Sequence, residues 1–122
     1  MSDTEVVHDD GVLTISRIPG SRGYVLAGEI DATTYGALLA ALADIAGGGD
    51  VYLDLSGLDF CDAAGLNAMV GLVDRVGDGR RVVLEGVPGP LRKLLSVVGW
   101  ESLPNLEVRP RVNGRPTEPR SA

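Results

Sequence analysis

Leu66, Met69, Val70 and Val73 recur at i, i+3, i+4 and i+7, one face of an amphipathic helix predicted from Ala63 to about Val76. Similar stripes lie on either side. Tyr35, Leu38, Leu39, Leu42 and Ile45 form one, ended by the glycines 47–49, and Leu91, Leu94, Leu95 and Val98 form the other, closed by Gly99. Short runs with strand character separate these helices. Gly11 to Ile18 and Tyr24 to Ala27 are joined by Pro19-Gly20-Ser21-Arg22-Gly23, whose Pro-Gly dipeptide marks the turn of an antiparallel hairpin. Val51 to Leu55 reads as a buried strand broken by Ser56-Gly57, Arg81 to Glu85 as another, and Leu106-Glu107-Val108 as a short last strand.

Strand and helix alternate three times, and each helix has one apolar face to bury. The pattern predicts a single α/β domain: a mixed, mostly parallel sheet with an antiparallel first strand and amphipathic helices after strands 2, 3 and 4. Right-handed crossovers stepping in one direction put the helices on one side of that sheet. The domain is expected over residues 11–108. Residues 1–10, with four acids and no base, read as an acidic flexible arm, and 109–122, rich in proline and arginine, as a flexible tail.

At 122 residues the chain has room for one core, and 44% hydrophobic against 4% aromatic content makes that core aliphatic. A net charge of −6 with no basic cluster in the body removes the footprint of a nucleic-acid binder, so the expected partner is a protein. No apolar run approaches the roughly 20 residues that span a bilayer. The N-terminus lacks the basic and apolar regions of a signal peptide, so a soluble, cytoplasmic protein without direct membrane insertion is expected.

The candidate chemistry gathers around Cys61-Asp62-Ala63. Asp62 falls at the N-cap of the central helix, where its carboxylate can accept from free amides and its charge suits the dipole. Asp54, Asp59 and Asp62 invite comparison with the phosphoacceptor site of a response-regulator receiver. Such a site needs an acidic pair after the first strand and a lysine after the last. Here the first strand leads to Pro19-Gly20 and Lys93 sits on a helix, so neither metal nor cofactor is expected. His8 is the only histidine and belongs to the acidic arm, which leaves no positioned base for a nucleophile. Glu29 and Asp31 read as a solvated face, and no enzyme is expected. Cys61 has two readings: a small buried hydrophobe, or a redox-sensitive thiol whose pKa is lowered by the helix N-terminus.

Four segments, in order, resemble the STAS domain family of anti-sigma factor antagonist-like proteins over about residues 11–108. They are Gly28-Glu29-Ile30-Asp31, Asp54-Leu55-Ser56-Gly57-Leu58, Asp62-Ala63-Ala64-Gly65-Leu66, and Pro90 to Leu95 followed by Val98-Gly99-Trp100. Members typically read Asp-Ser-Ser-Gly-Leu at the third segment and are phosphorylated on the first serine, where this chain has Ala63. The resemblance implies a non-enzymatic module in transcription regulation that docks a kinase-like anti-sigma factor and so releases a sigma factor. The implied contact surface is Asp31, Asp62, Ala63, Ala64, Gly65, Leu66 and Asn67. With no acceptor at Ala63, control would fall to abundance, to Cys61, or to another hydroxyl such as Ser56 or Thr34. The alternative is an accessory STAS subunit that binds an ABC-type transporter ATPase, for which a phosphoserine is dispensable.

Overall fold

Ile18-Pro19-Gly20-Ser21 turns the predicted hairpin: Ser21 N donates to the Ile18 carbonyl at 3.3 Å, and Gly20 takes φ of +76°, as the third position of a type II turn requires. In the computed structural model, which describes residues 5–45, 49–77 and 79–110, that turn joins β2 (Leu13–Arg17) to β3 (Gly23–Ile30). The chain continues through α1 (Tyr35–Ile45), β4 (Val51–Cys61), α2 (Ala63–Val70), β5 (Val82–Val87), α3 (Gly89–Val97) and β6 (Leu106–Pro110), and β1 (Val6–Asp9) precedes the hairpin. The six strands form one sheet in sequence order, antiparallel from β1 to β3 and parallel from β3 to β6. The predicted mixed α/β sheet is therefore the one observed.

Two features at the ends differ from expectation. The arm predicted over residues 1–10 contains β1, an edge strand held by pairing with β2 and by Arg17 N donating to the Glu5 carbonyl at 2.8 Å. His8 lies in β1, with Nε2 3.0 Å from Asp10 Oδ2. At the other end Arg109, assigned to the tail, belongs to β6, where its guanidinium bonds Glu85 and Glu107 at 2.9 and 2.8 Å. Residues 111–122 lie outside the described residues.

Buried side chains of α1, α2 and α3 join Leu13, Ile15, Leu26, Leu53, Leu55, Val82 and Leu84 in one core cluster, which places the helices on one face of the sheet. Among the stripe residues, Leu39 at 43% and Val98 at 46% exposure face outward, and Ala41 takes the inward place in α1. The glycine stop predicted at 47–49 lies mostly outside the described residues. The central helix is also shorter than its stripe. It ends at Val70 and tightens into a 3-10 turn, Gly71–Asp74, where glycine is a poor helix former and Leu72 is drawn into the core.

The largest departure is β4, which does not break at Ser56-Gly57. Between the pairs Val25↔Asp54 and Ala27↔Gly57 it carries one residue more than β3, and again between Gly28↔Leu58 and Glu29↔Phe60. Each is a bulge. Each shifts the inward position from every second residue to the third, so Leu55, Leu58 and Cys61 are all buried. Among the described residues no helix is long and apolar enough to cross a membrane.

Val70 is 4% exposed in the middle of the core. Val70→Asp puts an unpaired carboxylate there and should lower unfolding free energy by about 3 kcal/mol or more in urea titration. An unchanged midpoint would mean that α2 presents another face to the sheet.

Candidate functional site

Ile30 and Cys61 end neighbouring parallel strands in register, and Asp62 N donates to the Ile30 carbonyl at 3.0 Å. That bond ties the start of α2 to the end of β3. Asp62 itself is extended (φ −81°, ψ 173°). Its Oδ1 accepts from Gly65 N at 2.9 Å, and its carbonyl accepts from Leu66 N at 3.1 Å, so it is the N-cap. Gly65 permits the close approach: a Cβ there would collide with Cγ2 of Ile30 and lie 3.2 Å from Cys61 Sγ.

The adjoining turn is built from its own hydroxyls. Asp31 Oδ1 accepts from Thr33 N at 2.9 Å and from the Thr33 hydroxyl at 2.6 Å, while Thr34 Oγ1 accepts from Asp31 N and donates to the Glu29 carbonyl, both at 3.0 Å. The Thr33 hydroxyl, then its amide, hold the Asp31 carboxyl below the usual carboxylate range. Gly28 makes the entry possible, since its φ of +106° and its contact with the Val12 carbonyl leave no room for a side chain.

Asp31, Asp62, Ala63, Ala64 and Asn67 thus stand at the carboxyl ends of β3 and β4, the central pair of the sheet, with Asp31 and Asp62 half-buried and Ala63, Ala64 and Asn67 exposed. Gly65 and Leu66, expected on the same contact surface, are buried against Ile30 and the core and support the site from beneath. The two substitute hydroxyls differ in placement. Thr34 is 1% exposed and committed to the turn, so a kinase could not reach it. Ser56 is half-buried, and its hydroxyl donates to Asp54 Oδ1 at 2.7 Å. Thr33, in the turn that follows β3, is exposed, and its hydroxyl donates to Asp31 Oδ1.

Cys61 lies in the core cluster, and its Sγ donates to the Asp62 carbonyl at 3.4 Å. Burial, with the Asp62 charge second, pushes the thiol up to about 12, the opposite of activation by the helix end. Among the described residues no three His, Cys, Asp or Glu side chains are grouped to hold a metal ion. The arrangement offers a shaped, acidic surface.

Sequence reasoning missed the neighbour of this surface. Phe60, 52% exposed, borders a cleft of about 240 Å³ that it shares with Leu58, Pro88, Pro90, Leu91 and Leu94. An aromatic residue between Asp59 and Cys61, in a chain with one phenylalanine, was the available signal.

A family model described as Mlab, STAS domain matches residues 21–107. Among solved structures, the crystal structure of an anti-sigma factor antagonist from Mycobacterium paratuberculosis is similar at 26% sequence identity and a TM-score of 0.55, covering 85% of this chain and 83% of that one. A search of curated proteins finds no match.

Gly65→Ala should destabilise the fold by about 1–3 kcal/mol in urea titration, because Ile30 is fully buried and cannot move aside. A neutral substitution would show that α2 does not approach β3 this closely. The Cys61 thiol should resist iodoacetamide in native protein at pH 8 and react after unfolding. From its ordinary value of 9 up to about 12, the unfolded chain sheds the thiol proton while the folded chain keeps it. Stability should therefore fall over that range, and fall less in Cys61→Ala. Rapid native alkylation would contradict the burial.

Proposed function

Since this chain belongs to the STAS domain family, we propose that it is a non-enzymatic binding module working as an anti-sigma factor antagonist. It docks a kinase-like anti-sigma factor through the surface of Asp31, Asp62, Ala63, Ala64 and Asn67 and thereby frees a sigma factor. The observation that carries this reading is the similarity, over most of both chains, to a protein that is itself an anti-sigma factor antagonist. The geometry supports it: the start of α2 is capped by its own Asp62, so the exposed residues after it are free to meet a partner. On this reading the protein works in the cytoplasm, where sigma factors act.

Ala63 sets the regulation. In phosphorylatable members the modification adds about two negative charges at this point, which oppose docking by repulsion and desolvation although the helix dipole tolerates them. A methyl group accepts no phosphate, so this module stays competent and its amount decides the outcome. The same alanine favours a second reading. An accessory STAS subunit bound permanently to an ABC-type transporter ATPase needs no acceptor either.

Calorimetric titration with a kinase-like anti-sigma factor, and separately with an ABC-type ATPase, decides between the two. The wild-type chain should bind the first and gain no phosphate at position 63 in the presence of ATP, whereas Ala63→Ser should supply an acceptor. Ala63→Glu should weaken binding several-fold at low salt and less at high salt, since repulsion between exposed charges is screened. The fold should not suffer, because a glutamate in the first turn is favourable by about 0.3–1 kcal/mol. Undiminished binding by Ala63→Glu at low salt would remove this surface from the interface.

A further inference from the structure

β4 keeps company with β5 only from Val51 to Asp54, where it pairs with Val82 to Glu85, yet it runs on beside β3 to Cys61. The two strands part because β5 bends. Gly86 has φ of +64°, the β5–β6 register slips between Leu84 and Val87, and Pro88 turns the chain into α3. The wedge that opens is the cleft under Phe60, with Leu58 at its base and Pro90, Leu91 and Leu94 on its far wall. It adjoins the start of α2 through Cys61.

We propose that this cleft is the anchor pocket of the docking surface and receives one large apolar side chain from a basic segment of a protein partner. The inference rests on the proposed function, since it extends that surface from α2 to α3. Size argues for a side chain: about 240 Å³ lies below the roughly 300–1,000 Å³ of pockets that hold whole small molecules. Chemistry argues the same way, because apolar side chains make up most of the lining, with Asp59 and the Cys61 thiol the polar side chains among them. Charge selects the partner. Glu29, Asp31, Asp59 and Asp62 all stand at this end of the sheet, whereas Arg92 and Lys93 line a separate cleft with Glu101 and Pro110. A segment bearing lysine or arginine is attracted there. A second copy of a chain with net charge −6, presenting the same acids, is repelled. A half-exposed aromatic beside an apolar pocket is also the setting in which few residues carry most of the binding energy once a partner covers it.

The test is an NMR titration of the full chain with synthetic hexapeptides in which a central leucine or phenylalanine lies between two lysines. Shifts should concentrate on Leu58, Phe60, Leu91 and Leu94. They should vanish when the central residue is serine, weaken when the lysines are glutamates, and require at least about fivefold more peptide with Phe60→Ala. Asp59→Lys, an exposed change, should weaken the lysine peptide and strengthen the glutamate one. Absent or scattered shifts, indifference to peptide charge, saturation of the same residues by octanoate alone, or concentration-dependent shifts without peptide would each overturn the proposal. The α2 surface is tested separately, by Ala63→Glu against a protein, so failure of the cleft and failure of the docking surface are read out by different experiments.

Discussion

The bond from Asp62 N to the Ile30 carbonyl, with Gly65 seated against the Ile30 side chain, is the joint on which the functional end of the molecule depends. It fixes where β4 stops and α2 starts relative to β3. Asp62 can cap the helix only in that position, and the turn from Asp31 to Thr34 then lies alongside. A residue larger than glycine at position 65 would push α2 outward and separate the two acidic turns that make up the surface.

Much of this was legible in the chain. The 3.6-residue stripes located all three helices because each buries one face against one sheet, and Leu66, Met69 and Val70 are buried as their spacing requires. Asp62 as N-cap followed from a carboxylate placed just before such a stripe. What stayed hidden depends on contacts between strands. Period-two alternation fails in β4 at Ser56 and again at Asp59 because each bulge adds a residue with no partner, and nothing in one strand's sequence records what its neighbour does. The strand therefore looked finished at Leu55. Phe60 and its cleft went unseen for the same reason, since they exist only where β4 and β5 diverge. Nor does a sequence distinguish Thr34, locked into a turn, from Thr33 beside it.

The functional consequence turns on what the surface lacks. Asp62 already sets its own carboxylate on the Gly65 amide, so an anion at the start of α2 meets a like charge, and the exposed Ala63 and Ala64 leave this face apolar among acids. The thiol that might have supplied a chemical switch is packed in the core and held neutral. On the proposed reading, control at this face lies in which protein is present and how its charges match.

Hydrogen–deuterium exchange of the chain alone and in complex with a kinase-like anti-sigma factor tests the central claim most directly, because it reads every backbone segment without altering a residue. The account predicts slower exchange on complex formation over residues 31–34, 59–67 and 89–94, the two turns and the walls of the cleft. Protection confined to β1, to β6 or to the far end of α3 around Val97, with residues 59–67 unchanged, would contradict it.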